Sequence, residues 1–140
     1  MQRTQHPDLT HPFTARATFW LGAALTLATG LIHLAEVPEG FEDAAYEGVL
    51  FLAAFVGAVI VAAALLRGRR SGWPFGALLA GATAAAYLTS RTVGLPALSR
   101  EPFCALGAVS LAVEGLFVAL AIGVLRSSLA RRTTEQPAAV

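Results

Sequence analysis

The sequence predicts an all-α fold, a four-transmembrane-helix up-down bundle with both termini in the cytoplasm. Of its 140 residues, 56% are hydrophobic and 14% are charged, whereas an ordinary soluble domain has about 25% charged residues. The chain contains four apolar runs of the length, about 20 residues, that a helix needs to cross a hydrocarbon core of roughly 30 Å. Its charged residues collect at the ends of these runs. We therefore expect a multi-pass protein of the cell membrane, with the lipid bilayer as its first partner.

The four apolar runs follow one another along the chain and share a high content of alanine and leucine. They lie at about residues 17–35, 44–66, 73–93 and 103–125. Lipid offers no hydrogen-bond partner to the backbone, so every backbone N–H and C=O must be paired within the protein, and each run must be a helix or a barrel strand. The runs lack the alternating polarity of barrel strands, and alanine and leucine favour helix. A polar lead-in (residues 1–15) precedes the membrane domain (16–127), and a basic, then disordered tail (128–140) follows it.

Proline and glycine separate the runs. They are Pro38 and Gly40 after the first run, Gly68, Gly72 and Pro74 after the second, and Gly94, Pro96 and Pro102 after the third. Because proline interrupts a helix interior, these positions are predicted boundaries. The connections are short, so neighbouring helices should be antiparallel.

Small residues recur at helical intervals in three of the runs. They are Ala54, Ala58 and Ala62, then Ala77, Gly81 and Ala85, then Gly107, Gly115 and Gly123. In lipid, helices associate through close backbone approach, which small residues permit. The pattern favours a tight bundle, and either a homo-oligomer or a partner in a larger membrane complex.

The distribution of arginine predicts the orientation, because cytoplasmic loops are rich in basic residues. Arginines flank one side of the four spans, at positions 3, 16, 67, 69, 70, 126, 131 and 132. The opposite, outer side holds five carboxylates, which we call the acidic cluster: Glu36, Glu39, Glu42, Asp43 and Glu47. Either the cluster is a solvated loop that merely excludes arginine, or it is a surface that attracts cations.

Glu114 is the polar residue placed at the greatest cost. It lies midway along the fourth run, about 16 Å from either end at ~1.5 Å per residue, which is too deep for its carboxyl group to reach water. We therefore expect Glu114 to be protonated or paired. Its role is then either a hydrogen bond that joins helices or a function in proton handling, cation binding or acid–base chemistry.

His33 and Glu36 form the candidate metal site. They stand three residues apart near the end of the first run, so they share a helical face and can present two ligands to one divalent metal ion. Two ligands do not close a site, and Glu39, Glu42 or Glu47 would have to complete it. The alternative is that His33 is an interfacial histidine whose ring reaches the lipid headgroups.

Arg91, Tyr87 and Tyr46 are expected in the same outer layer. Arg91 either reaches the outer headgroups or pairs with a carboxylate, and Tyr87, one turn deeper, could donate a hydrogen bond toward Glu114. Tyr46 opens the second run and also suits an aromatic belt. With Glu114 below them, these residues predict a polar intramembrane pocket that opens to the outside.

The sequence excludes some functions and leaves three open. A net charge of +1 and the lack of a glycine-rich phosphate loop argue against binding of nucleic acid or nucleotides, and no motif assigns a catalytic residue. One function is transport or sensing of a cation or proton through the pocket. The second is a non-catalytic accessory subunit of a membrane complex, and the third is a small intramembrane enzyme that uses Glu114 and His33 as an acid–base pair.

Two stretches carry a resemblance to a known family. They are IHLAEVPEGF at residues 32–41, followed by Tyr46, Gly48 and Phe51, and YLTSRTVGLP at residues 87–96. They resemble a family of small four-helix integral membrane proteins common in actinobacteria, and the resemblance implies a fold and topology without an activity. The family pattern has a second histidine where this chain has Gly40, so the resemblance does not carry a two-histidine metal site over to this chain.

Overall fold

The computed structural model describes residues 11–96 and 102–134, with side chains for residues 15–96 and 102–130. This part of the chain is all-helical, as predicted. Its four helices are α1 (His11–Asp43), α2 (Ala45–Leu66), α3 (Gly72–Thr92) and α4 (Ala105–Thr134). Most of the predicted lead-in, the end of the predicted tail, and Arg100 with Glu101 lie outside the described residues.

Three of the helices are long and apolar enough to cross a membrane. These segments are Ala15–Asp43, Ala45–Leu66 and Ala105–Ala130. Large apolar side chains such as Leu31 and Ile60 stand exposed on them, an arrangement that suits hydrocarbon surroundings. These are the features of a membrane protein. α3 has a similar length, 21 residues, but carries several hydroxyl side chains and Arg91, and its crossing of the bilayer stays a prediction.

The first boundary differs from the expectation, because α1 continues through Pro38 to Asp43. Proline removes one helical N–H donor, yet the helix here is held against α2. A Cβ atom added to Gly40 would lie 2.7 Å from Phe51 Cδ2, so the two helices approach closely at this point. The turn falls instead at Ala44, which is extended, and its N–H donates to the Gly40 carbonyl over 2.9 Å. All five carboxylates of the acidic cluster are therefore helical, four on α1 and Glu47 on α2, rather than in a loop.

The other connections lie close to the predicted breaks. Gly68, after α2, and Gly94, after α3, have positive φ angles of 70° and 93°, a conformation that glycine adopts without steric cost. α4 begins at Ala105 and runs past residue 125, where the fourth span was predicted to end, into the predicted basic tail. Close pairs between consecutive helices, such as Gly30 with Ala58, follow an antiparallel order.

Three aromatic rings form the centre of the packed core, and we call them the aromatic layer: Phe19, Trp73 and Phe117. Trp73 and Phe117 are fully buried. Their rings stack with centroids 5.8 Å apart, and Phe19 meets Trp73 edge-on at 5.5 Å. Such pairs stabilise beyond the area they bury. The layer lies one helical turn from Glu114 along α4.

The small residues behave differently on different helices. Ala54, Ala58 and Ala62 of α2 are buried, so that stripe packs inside the bundle. Gly81 of α3, and Gly115 and Gly123 of α4, would each have no heavy atom within 4 Å of an added Cβ. These three glycines therefore face outward in a single copy of the chain.

Candidate functional site

A cavity of about 530 Å³ opens between the helices at the end that carries the acidic cluster. All four helices contribute to its lining. On α2 the lining runs from Glu47 to Ala54 and on α4 from Leu106 to Glu114, each a distance of about two helical turns or ~10 Å. The cavity therefore has a rim of carboxylates, apolar walls and a polar base, and its base lies at Glu114.

Glu114 joins three helices at the base. Its side chain is only 2% exposed. Its Oε1 atom accepts a hydrogen bond of 2.7 Å from Thr83 Oγ1 of α3, and lies 3.3 Å from His33 Nε2 of α1 and 3.3 Å from Ser110 Oγ of α4. Burial of a carboxyl group without partners would cost several kcal/mol, and these contacts offset that cost. Glu114 is thus paired, as a group at this depth must be.

The Thr83 hydroxyl has a choice of acceptors. Besides Glu114 Oε1, the carbonyl oxygens of Leu79 and Ala80 each lie 3.1 Å away. A hydroxyl carries one proton and two lone pairs. It can donate to an ionised Glu114, or donate to a carbonyl of its own helix and accept a hydrogen bond from a neutral Glu114. The base can therefore hold Glu114 in either protonation state with the helices in one arrangement.

His33 connects the base to the rim. It is 7% exposed and stacks on Phe51, with ring centroids 5.8 Å apart. Its Nε2 faces Glu114, whereas its Nδ1 lies 3.9 Å from Glu36 Oε2, beyond hydrogen-bond length. Within the described residues, this buried Nδ1 has no hydrogen-bond partner. When Nε2 carries the proton that faces Glu114, Nδ1 is an open acceptor.

The rim is acidic. Four members of the acidic cluster line the cavity, namely Glu36, Glu39, Asp43 and Glu47, whereas the fifth, Glu42, is exposed outside the lining. Carboxylates gathered at the mouth of a low-dielectric cleft raise the local concentration of cations. The rim thus favours entry of positive charge.

Arg91, Tyr87 and Cys104 form one corner of the cavity. The Arg91 guanidinium lies 4.8 Å from the Tyr87 ring centroid, a cation–π arrangement, and its Nη2 lies 4.0 Å from Cys104 Sγ. The Tyr87 hydroxyl accepts a 3.4 Å hydrogen bond from the Cys104 N–H. It therefore turns to the start of α4 rather than toward Glu114, and Thr83 makes the contact that the sequence suggested for Tyr87.

Tyr46 is not among the residues that line the cavity. Its hydroxyl donates a 2.7 Å hydrogen bond to the Pro96 carbonyl. This bond ties the start of α2 to the segment after α3. Of the sequence-predicted pocket residues, the structure brings together Glu114, Arg91, Tyr87, His33 and Glu36, and places Tyr46 apart from them.

Thr83, Ser110 and Phe51 belong to the site although the sequence analysis did not place them in the pocket. Ser110 stands four residues before Glu114, the spacing at which helical neighbours meet, and this was the available signal. Thr83 and Phe51 gave none, because their approach to Glu114 and His33 depends on how separate helices pack.

The metal prediction for His33 and Glu36 gains no further ligand. In the described part of the chain, no group of three or more histidine, cysteine, aspartate or glutamate side chains is placed to hold a metal ion. The two-residue site stays a prediction.

Comparison of the chain with protein-family models, curated proteins and solved structures finds no match in any of the three. The resemblance to small actinobacterial membrane proteins also stays a prediction, and function has to be argued from the site itself.

Proposed function

We propose that this is a four-span membrane protein that binds a cation or a proton in the cavity, as a small transport or sensing protein. In this proposal α3 crosses the membrane together with α1, α2 and α4. Both termini are cytoplasmic and the cavity opens to the outside. The arginine distribution supports that orientation. α3 lies beside the other three helices and contributes Thr83 and Arg91 to the cavity, which supports its place within the bilayer.

The observation that carries the proposal is the pairing of His33 with Glu114 at the base of an acidic cavity. Ionisable groups inside a membrane are costly, face the interior of the bundle and are found on ion and proton paths. A purely structural carboxyl group would need only a partner. Glu114 instead has hydrogen-bonding neighbours that suit both of its protonation states, and the cavity leads to it from the rim.

Proton and cation binding at Glu114 can be measured directly in nanodiscs. Infrared spectra recorded against pH should show the carbonyl stretch of a buried, protonated carboxyl group, and Glu114→Gln should remove it. Glu42→Gln is the matched control, because Glu42 is a carboxylate of α1 outside the cavity lining, and it should leave the band unchanged. Elemental analysis of the parent and of a His33→Ala/Glu36→Ala variant tests whether a metal ion is bound and whether these two residues bind it. The absence of both a Glu114 band and any Glu114-dependent cation would refute the proposal.

The orientation has its own test. Cys104 is the only cysteine in the chain and is exposed at the cavity mouth. A membrane-impermeant maleimide should label it on intact cells and should fail to label it in inside-out vesicles. The reverse pattern would place the cavity on the cytoplasmic side.

A second function, that of an accessory subunit, is favoured by the outward glycines of α4. Gly115, Ala119 and Gly123 are exposed at intervals of four residues, the spacing at which small residues let helices approach closely in lipid. Replacement of Gly115 by leucine should dissociate a partner complex detected by native mass spectrometry. Leu116→Ala, at the neighbouring exposed position, should leave the complex intact. A monomer in the parent protein would count against this function.

A further inference from the structure

The cavity is larger than an inorganic cation requires. Its volume is about 530 Å³, within the roughly 300–1,000 Å³ typical of small-molecule sites, whereas one water molecule occupies about 30 Å³ in the liquid. Between rim and base the walls are apolar, built by Leu50 and Phe51 of α2 and by Leu106 and Leu111 of α4. A metal ion, hydrated or not, gains no free energy from such walls, whereas an apolar group does.

The charges of the lining select a positive ligand. Five carboxylates line the cavity, four at the rim and Glu114 at the base. Among the described lining residues the one guanidinium is that of Arg91, which lies on the Tyr87 ring. An anion would meet an excess of like charge, so the ligand should carry positive charge.

The base offers hydrogen-bond acceptors. The three contacts of Glu114 all end on Oε1, so its Oε2 is the oxygen that a ligand can use. Above the base, on the side of the His33 ring that faces Glu36, Nδ1 is buried and lacks a hydrogen-bond partner in the described residues. An ammonium group has N–H donors and no acceptor, so it complements this base. A metal ion would need more ligands than the described residues bring together.

We propose that the ligand of the cavity is an amphipathic organic ammonium ion, with its head at Glu114 and its apolar body against Phe51 and Leu111. This inference rests on the proposed cation-binding function and names the class of cation. The cavity is ~10 Å deep along its helices, which accommodates an ammonium head, a short alkyl chain and one ring. The charged head meets Glu114 at the base, and the apolar body meets the apolar walls above it.

A series of matched probes tests the inference on the unaltered protein in nanodiscs. The probes are phenylbutylamine, its neutral analogue phenylbutanol, and Ca²⁺ and Zn²⁺ alone. Binding is measured by calorimetry and by protection of Cys104 from N-ethylmaleimide, because that thiol lines the cavity. We expect the amine to bind at least about tenfold more tightly than the alcohol, because both can donate a hydrogen bond to Glu114 whereas only the ammonium group adds attraction between opposite charges.

Three variants locate the two parts of the ligand. Glu114→Gln should weaken amine binding by about tenfold or more and leave the alcohol unaffected. Phe51→Ala should weaken the amine and the alcohol alike, because both share the apolar body. Glu42→Gln, outside the lining, should change neither.

The outcomes separate this inference from the proposed function. Equal affinity for amine and alcohol would overturn the ammonium assignment, and so would calorimetric binding of Ca²⁺ alone, or of Zn²⁺ to a Cys104→Ser variant, which excludes direct coordination of Zn²⁺ by the thiol. In the latter case, a dependence on Glu114 would leave the cation-binding function standing. If neither the amine nor a metal ion binds, and no Glu114 protonation band is found, both proposals fall. Because the probe series needs no substitution, it decides the question even if a variant fails to fold.

Discussion

Replacement of Thr83 by valine is the sharpest test of how the base of the cavity is held together. Valine keeps the shape and β-branching of threonine and replaces its hydroxyl with a methyl group, so helix propensity is nearly unchanged. The substitution removes the 2.7 Å hydrogen bond to Glu114 Oε1, the shortest of the three contacts at that oxygen. Glu114 would then keep the two 3.3 Å contacts with His33 and Ser110.

The expected loss of stability follows from the burial of Glu114. A hydrogen bond to a charged group contributes about 1.5–3 kcal/mol in soluble proteins, whereas hydrogen bonds between membrane helices average about 0.6 kcal/mol and reach about 1.7. Glu114 is 2% exposed, so little of its surface is open to a water molecule that could replace the lost donor. We therefore expect Thr83→Val to lower the free energy of unfolding by about 1–1.7 kcal/mol, toward the upper end of the membrane range.

Thr89→Val is the matched control on the same helix. The Thr89 hydroxyl is exposed and donates only to the Ala85 carbonyl of α3 itself, so its removal should change stability by less than about 0.5 kcal/mol. Unfolding by dodecyl sulfate in mixed micelles, followed by far-ultraviolet circular dichroism, gives both values. Thr83→Ser, which restores the hydroxyl, should recover part of the loss. Equal destabilisation by the two valine variants would refute the role assigned to Thr83.

Three further stability predictions use the same unfolding assay. Gly107→Ala should be about 1–3 kcal/mol less stable than Gly115→Ala, because a Cβ at Gly107 collides with the Tyr87 ring whereas a Cβ at Gly115 meets open space. Both glycines lie in α4, so the comparison cancels the gain in helix propensity, and equal stabilities would contradict the prediction. Phe117→Ala should cost about 3–5 kcal/mol, and Phe75→Ala, at a phenylalanine that is 65% exposed, close to none; a large effect at both would point to a general packing defect. Tyr46→Phe should cost about 0.5–1.5 kcal/mol through the lost bond to a backbone carbonyl, and an unchanged stability would show that water replaces that bond.

Much of the fold could be predicted from local patterns. The number of helices and most of their boundaries follow from apolar runs and from glycines such as Gly68 and Gly94, since these signals act within a few residues. Pro38 misled the prediction, because the rule for proline describes an isolated helix, whereas α1 here is supported along its length by α2. Contacts such as Gly40 with Phe51 join positions on two helices, and no single run contains them.

The site could be predicted only in outline. The position of Glu114 midway along an apolar run indicated a site residue, and so did the presence of His33 and Arg91 in runs that contain few polar residues. The cost of placing an ionisable group in such a run can be recognised from one segment of sequence. The partner of Glu114 on α3 was not visible in this way. Tyr87 and Thr83 stand one turn apart on the same helix, and the rotation and height of α3 against α4 decide which hydroxyl reaches the carboxyl group. That offset is a property of the packed bundle.

The aromatic layer has a consequence for permeation. Phe117 and Trp73 stack one turn beyond Glu114, and the cavity lining ends at Glu114, so under the proposed four-span topology the cavity would exchange its contents with one side of the membrane only. A conducting path would need the two rings to part and a column of water to form between them. The Trp73 indole N–H, buried and without a hydrogen-bond partner among the described residues, would then gain a water acceptor, which offsets part of the lost stacking.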